Sequence, residues 1–300
     1  MKILLTGATG MLGKYLTDVF KGEEITTLGR RQGNDIVCDL TEEAPRLARG
    51  YSPELIIHAA GTEEPGHAFE LNFEGTRRLL EGLGDCKPEH FVYISSWQVY
   101  SLSAGADIEE DANLWASGDA GKSKAKAEEM VSEWCDRHSV NLTILRPATM
   151  FGSGMKGWAN RMFNEVMANR FVHIRGSEGR LSAVMALDVA KAVKQLYTRG
   201  GVYNVADGQN PTYLQLAEAM SANSGVMKRV VTLPEKWAAV FYKYGKSLPL
   251  IRAALNPELL KKRQNVLTFS NAKALDAGCT FFAVCEVLRH EAEDYPYQDS

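Results

Sequence analysis

An α/β fold is predicted: a doubly wound parallel sheet with a smaller, mainly helical C-terminal lobe. Three observations predict it. Short β-branched apolar runs alternate with helical patterns through the first half of the chain. The first run leads directly into a loop of three glycines that opens a helix. After Arg146 the alternation loosens, and from about Thr212 the chain reads mainly helical.

The expected strands are Lys2–Thr6, Glu24–Leu28, Asp35–Cys38, Leu55–Ala59, Phe91–Ser95 and Asn141–Leu145. Each is short and bounded by turn or polar residues, and helical segments between most of them argue for βαβ units. One helix is expected over Gly121 to His138. There Ala127, Met130, Val131, Trp134 and Cys135 recur at the 3, 1, 3, 1 spacing of a single face. Beyond Arg146, RFVHI and GVYNV read as further strands, with a helix from about Leu187 to Arg199 between them. YLQLAEAMSANSG and PEKWAAVFYKYG read as helices.

Composition narrows the functional classes. Three hundred residues with 45% hydrophobic and 24% charged content can bury an ample core. A formal net charge of −3 carries no electrostatic footprint for nucleic acid. No run approaches the ~18 apolar residues of a membrane span. Cys38, Cys86, Cys135, Cys279 and Cys285 form no C-x-x-C pair, as suits free thiols in a reducing compartment, and a cytoplasmic protein is expected. His58, His67 and His173 lack ligand spacing, so no metal is expected.

The glycine loop is the most informative motif. LLTGATGMLGKYL sets Gly7, Gly10 and Gly13 between a strand and a helix. The first glycine permits the turn, the second lets backbone approach a pyrophosphate, and the third lets the helix pack closely on the sheet. The helix N-terminus then offers free N–H groups to phosphate. This pattern predicts a Rossmann-type dinucleotide site; the alternative is a strand-to-helix turn with no ligand. Its second strand ends in TLGRRQG, with Arg30 and Arg31 where an NAD site places a carboxylate. A guanidinium can pair with a 2′-phosphate, which favours NADP(H) over NAD(H). Both arginines would serve equally as solvated loop residues. Residues 1–150 are therefore expected to form the dinucleotide-binding domain, with elements around 184–206 returning to it. Residues 151–300 are expected to form mainly a substrate-binding lobe.

Markers in order along nearly the whole chain resemble the extended short-chain dehydrogenase/reductases, the NAD(P)-dependent epimerase/dehydratase group. They are TGATGMLG, CDL at Cys38–Leu40, HAAG at His58–Gly61, NFEGTRRLLEG from Asn72, ISSWQVYS from Ile94, RPATMFGSG from Arg146, VMALDVAKAV from Val184 and a closing FSNAKALDAG segment. The A-K-A-E helix and this closing segment resemble sterol-dehydrogenase-like and dihydroflavonol-reductase-like members, and nucleotide-sugar epimerases share the skeleton. The resemblance implies that Gly7, Thr9, Gly10, Met11, Leu12 and Gly13 hold the pyrophosphate and that Asp39 and Leu40 meet the adenine. It implies that Ala59, Ala60, Gly61, Ile94, Ser95, Lys124, Pro147 and Thr149 line the rest of the cofactor. A homodimer through Asn72–Leu83 and Gly121–His138 is a further implication.

In that family a serine, a tyrosine and a lysine move the proton while hydride passes to or from nicotinamide. The lysine brings the tyrosine's pKa, ordinarily ~10, towards neutrality. Here the serine matches Ser96 and the lysine matches Lys124, but the tyrosine's position holds Ala120. No tyrosine lies between Ser101 and Gln195, so no shift of frame supplies one. Tyr100 belongs to an element that normally packs. Three accounts stay open. The alanine is an introduced replacement; the natural protein lost its acid and became a dinucleotide sensor or interaction module; or another acid, such as water held by Ser96 and Lys124, serves. The substrate is expected above the nicotinamide. Trp97, Met155, Trp158 and Phe163 are candidate walls that would equally be core, and Arg161, Arg175 and Arg180 are candidate phosphate ligands.

Overall fold

The computed structural model describes residues 1–84, 86–100, 104–114, 116, 118–222, 230–237, 240 and 263–290. The first half runs β1 (Lys2–Thr6), α1 (Met11–Val19), β2 (Glu24–Gly29), β3 (Ile36–Val37), β4 (Leu55–His58), a π-helical stretch Phe69–Gly75 continuing as α2 (Thr76–Leu83), β5 (His90–Ile94), a 3₁₀ turn Trp97–Val99, β6 (Gly105–Ile108), α3 (Asp119–His138) and β7 (Asn141–Pro147). Then come β8 (Thr149–Phe151), α4 (Gly157–Met167), β9 (Val172–Ile174), β10 (Arg180–Leu181), β11 (Ala183–Met185), α5 (Ala186–Leu196), β12 (Gly201–Val205), α6 (Tyr213–Ala222), β13 (Val231–Leu233), β14 (Val266–Phe269), α7 (Ala272–Asp276) and α8 (Val284–Arg289). The expected PEKWAAVFYKYG helix lies mostly outside the described residues.

Seven strands form one parallel sheet in the order β12-β7-β5-β4-β1-β2-β3. Strand residues alternate between two cores, as a period of two requires. Ile3, Leu5, Ile57, Val92, Ile94 and Leu145 face α1 and α5, meeting Leu16, Val189 and Val193. Leu4, Ile56, Phe91, Tyr93 and Ile144 face the other way, against Leu79 and Leu83 of α2 and Ala127, Val131 and Trp134 of α3. The predicted apolar stripe of α3 is thus satisfied by the sheet, with Met130 partly buried at its margin. The helix ends at Ser139 in the left-handed conformation, with Arg137 and His138 complementing the dipole of its last turn.

Chain order reverses between β1 and β4. From β1 it runs outward to β2 and β3; from β4 it runs the other way to β5, β7 and β12. Such a switch point opens a crevice at the carboxyl ends of the strands.

Beyond β7, the strand read in RFVHI forms as β9, paired in parallel with β13; β8 pairs with β11, and neither of these last two was signalled by apolar periodicity. β14 lies between β10 and β6. Strands of two to four residues leave too little pattern to read. Around them, Phe151, Met162, Phe171, Leu181, Leu216 and Met220 form a third core. Trp158 and Phe163 pack against it, and Trp97 tilts against Phe269, so these aromatics have packing roles. Among the described residues no helix is long and apolar enough to cross a membrane.

Phe91 is fully buried at the centre of the sheet, its ring 6.1 Å from that of Trp134. Phe91→Ala is expected to cost about 3–5 kcal/mol, read from the shift in the urea unfolding midpoint.

Candidate functional site

The glycine loop stands at the switch point, and its geometry shows why those positions take glycine. Gly7 has φ +76°, and a Cβ there would lie 2.8 Å from the backbone of Ala59 and Ala60. A Cβ on Gly13 would lie 2.1 Å from the Gly7 carbonyl oxygen. The loops after β1 and β4 therefore close on each other, and α1 sits hard against the first. Gly10 caps α1 without a side-chain hydrogen bond, and no acidic residue stands in the first turn. The N–H groups and dipole of that turn face the loop uncompensated, which suits an anionic group.

Behind the loop a chain of neutral hydrogen bonds fixes both strand ends. The Ala60 amide donates to Thr6 Oγ1 at 3.1 Å, and Thr6 Oγ1 lies 2.7 Å from His58 Nδ1. His58 Nε2 lies 2.8 Å from Thr76 Oγ1, which itself donates to the Asn72 carbonyl at 2.7 Å. Since Thr76 spends its proton on Asn72, His58 donates from Nε2 and accepts at Nδ1. Burial, aided by the nearby charge of Lys124, pushes the His58 pKa down to about 3. His58 is thus a structural residue.

At the tip of β2, Arg30 and Arg31 are both exposed. Asp39 accepts from the amide and hydroxyl of Thr41 at 3.0 and 2.7 Å. Burial pushes its carboxyl up, but these bonds and the charges of Arg30 and Arg78 hold it below the ordinary value. Leu40 is buried, and its carbonyl accepts from Arg78 at 3.0 Å.

The third part of the site gathers on the first two turns of α3. Lys124 is 8% exposed. Its Nζ donates to the Ile94 carbonyl at 2.7 Å and lies 4.9 Å from the centre of the Tyr93 ring. Burial lowers its pKa to about 8, against the raising influence of Glu128 and Glu63. A Cβ on Gly61 would come within 2.8 Å of Nζ, so the loop after β4 touches the ammonium. Ser96 caps the 3₁₀ turn, its hydroxyl accepting from the Gln98 amide at 3.2 Å. Ala120 is the second residue of α3, one turn ahead of Lys124. Next to it, a Cβ on Gly121 would lie 2.3 Å from the Gln98 carbonyl oxygen, so that turn and the helix start are in contact.

Ser95, expected to line a cofactor, spends its hydroxyl on Glu128. Its amide donates to the Leu145 carbonyl at 2.8 Å, and the residue is buried. Glu128 forms a bidentate pair with Arg146, at 3.0 and 2.6 Å, each side chain 5% exposed. Arg146 also donates to Tyr100 Oη at 2.9 Å, and Tyr100 donates to Asn204 at 2.7 Å. Tyr100 is fully buried and stacked on Phe269, so it packs. Pro147 and Thr149 flank the crossing from β7 to β8.

The sequence reading passed over Glu63, Gln98, Glu128 and Arg146 as site residues. A signal existed for Glu128: a carboxylate four residues after Lys124, on the helix face otherwise carrying Ala127 and Val131. Nothing local marks Glu63, whose partners come from three distant elements.

A glycine-lined strand-to-helix cradle at the switch point of a parallel sheet defines the Rossmann class of dinucleotide-binding folds. Residues 3–206 match the NAD dependent epimerase/dehydratase family, and the chain belongs to that family. It is 22% identical over 205 residues to an N-acetyl-alpha-D-glucosaminyl-diphospho-ditrans,octacis-undecaprenol 4-epimerase of Escherichia coli O157:H7, covering 64% of this chain and 62% of that protein. It is 24% identical over 180 residues to the dTDP-D-glucose 4,6-dehydratase of Mus musculus, covering 56% of this chain and 51% of that protein. The matches thus span between about half and three fifths of these relatives. Among solved structures, the UDP-glucose 4-epimerase of Thermotoga maritima with UDP-glucose superposes with a TM-score of 0.74 at 18% identity, covering 98% of both chains. RMD from Pseudomonas aeruginosa, complexed with NADPH, gives 0.70 at 22% identity, covering 96% of both. At these identities the likeness is one of fold.

Two outcomes test the site's buried groups. His58 stays neutral when folded down to about pH 3, whereas the unfolded chain protonates it near 6.5. Between those values the unfolded state holds the extra proton, so stability falls as the pH falls. The difference is on the order of 5 kcal/mol across the window. His58→Gln is expected to flatten that part of the stability-against-pH curve, measured by urea unfolding. Glu128→Ala strands the Arg146 cation and is expected to cost about 3–5 kcal/mol, also by urea unfolding.

Proposed function

We propose that the chain binds NADP(H) in preference to NAD(H) and acts by hydride transfer on a hydroxyl or carbonyl carbon of a small molecule, with nucleotide sugars the favoured class. The observation that carries this reading is the glycine cradle at the switch point, where Cβ atoms at Gly7 and Gly13 would collide with backbone and the α1 N-terminus has no side-chain cap. The names of the relatives and neighbours, sugar-nucleotide epimerases and dehydratases, support the substrate class.

Gly7, Thr9, Gly10, Met11, Leu12 and Gly13 would hold the pyrophosphate through backbone N–H groups. Arg30 and Arg31 would meet a 2′-phosphate, while Asp39 and Leu40 would bound the adenine. Ala59, Ala60, Gly61, Ile94, Ser95, Pro147 and Thr149 would line the nicotinamide half. A bound nicotinamide supplies the hydride chemistry. The protein's part is to orient the substrate oxygen with Ser96, hold the ribose with Lys124 and manage a proton. The Lys124 cation is gradually lost as the pH rises through about 8.

Ala120 favours a second reading. A methyl group cannot exchange a proton, so a dinucleotide sensor without turnover would carry the same cradle. Both readings require dinucleotide binding. Fluorescence titration is expected to show tighter binding of NADPH than of NADH. Arg30→Ala with Arg31→Ala is expected to weaken NADPH roughly tenfold to a hundredfold, the worth of a charge-assisted hydrogen bond, leaving NADH unchanged. No binding of either dinucleotide at millimolar concentration would refute the reading.

A further inference from the structure

We infer that Glu63 is the proton donor and acceptor of this site, standing in for the hydroxyl that Ala120 lacks. The inference rests on the dinucleotide-dependent reading above. One direct hydrogen bond and the contacts of its neighbours tie the Glu63 loop to the start of α3. Gln98 Nε2 donates to Glu63 Oε1 at 2.9 Å. The backbone of the same Gln98 lies beneath Gly121, the neighbour of Ala120, and its amide holds the Ser96 hydroxyl. Thr62 exchanges backbone hydrogen bonds with the Asn72 side chain at 2.8 and 2.9 Å. Asn72 donates to Ser123 Oγ at 3.0 Å, and Ser123 donates to the carbonyl of Ala120 itself, also at 3.0 Å. The residue before Glu63 is therefore tied through two side chains to the backbone of Ala120.

The other carboxylate oxygen faces the substrate-side lobe. Oε2 lies 2.8 Å from where a Cβ on Gly157 would stand, at the start of α4. Gly157 has φ +63° and begins the helix without a side-chain cap. Glu63 thus stands between the Ser96–Lys124 pair and the lobe expected to bring substrate. Glu63 is exposed to solvent at one side. Desolvation by the neighbouring chain raises its pKa above the ordinary carboxylate value, and the charge of Lys124 partly offsets the rise. Lys124 in turn feels Glu128 from its own helix. A carboxyl group moved towards neutrality beside a lysine is suited to proton transfer.

In the oxidising direction the substrate's O–H bond breaks and its proton passes to the Glu63 carboxylate. The adjacent C–H bond breaks with its electron pair, which a nicotinamide dinucleotide accepts, and the C–O bond becomes C=O. The substrate is oxidised and the dinucleotide reduced. In the reverse direction the neutral carboxyl returns the proton to the oxygen. Ser96, whose hydroxyl accepts from the Gln98 amide, keeps its own proton to orient that oxygen.

The test uses Glu63→Gln in the full chain, since the amide oxygen preserves the bond from Gln98. Carbon NMR titration of the side-chain carboxyls, with the variant assigning the resonance, is expected to place Glu63 above the ordinary glutamate value. Lys124→Met should raise it further. A carboxyl that titrates ordinarily and ignores Lys124→Met overturns the inference. UDP-glucose and dTDP-glucose with NADP⁺ or NAD⁺ are the probes, followed by the absorbance of reduced nicotinamide. The natural chain is expected to react, faster as the pH rises through the Glu63 pKa. Glu63→Gln should lose about 10²–10⁴-fold with dinucleotide Kd unchanged, and adding Ala120→Tyr should restore the rate. A Glu63→Gln rate equal to that of the natural chain overturns the inference, as does a natural chain that binds dinucleotide yet reacts with neither probe. Failure to bind any dinucleotide overturns the underlying reading as well.

Discussion

An ammonium group with almost no access to water sets the terms for this site. A cation so placed must be met by protein groups or give up its proton. Lys124 is met by the Ile94 carbonyl and the face of Tyr93. Two carboxylates, Glu63 and Glu128, act on it from different elements. Gly61 is small because a side chain there would meet the ammonium nitrogen. The end of β5, the loop after β4 and the first turns of α3 are thus held in one arrangement by a single charge.

Glu128 extends that constraint across the sheet. It answers Arg146 with both oxygens and also accepts from Ser95. Arg146 reaches on to Tyr100, and Tyr100 to Asn204 of β12. Buried ionic groups are weak evidence of stability, because desolvation offsets much of their attraction. Their value here is positional. Each has one arrangement in which every partner is satisfied, and that arrangement brings together the ends of β5, β7 and β12 beside Ser96. On the other side of the switch point the neutral chain from Ala60 through His58 to Asn72 does the same without charge.

What the sequence made legible divides along the same line. The glycine loop could be read because its contacts are mostly local: Gly13 meets Gly7, six residues away. The strands could be read because each alternates between two cores, and Ala127, Val131 and Trp134 because a helix repeats its face. Asp35–Cys38 shortened to Ile36–Val37, and the helix expected from Gly121 begins at Asp119, which are ordinary end effects. The segment from Asn72 was legible as a marker, but not its π-helical turn nor the bonds of Asn72 to Thr62 and Ser123, residues distant from it in the chain. Glu63 was illegible for the same reason. In TEEPG it is one carboxylate of a polar loop, and only topology brings Gln98, Lys124 and the start of α4 to it.

The edge position of β12 bears on how the molecule is made. The chain leaves the sheet at Pro147, builds β8, α4, β9, β10, β11 and α5, and only then returns at Gly201 to lie beside β7. Asn204 of that strand receives the Tyr100 hydroxyl, and Asn271 follows by donating to the Ala206 carbonyl. On the ribosome, the first six strands of the sheet can therefore assemble while the Tyr100 hydroxyl still awaits Asn204. Closing a loop of that length is slow relative to local helix formation. The polar network beside the site is accordingly among the last parts to be completed, and a nascent chain stalled before Gly201 would expose the flank of β7 to wrong pairing.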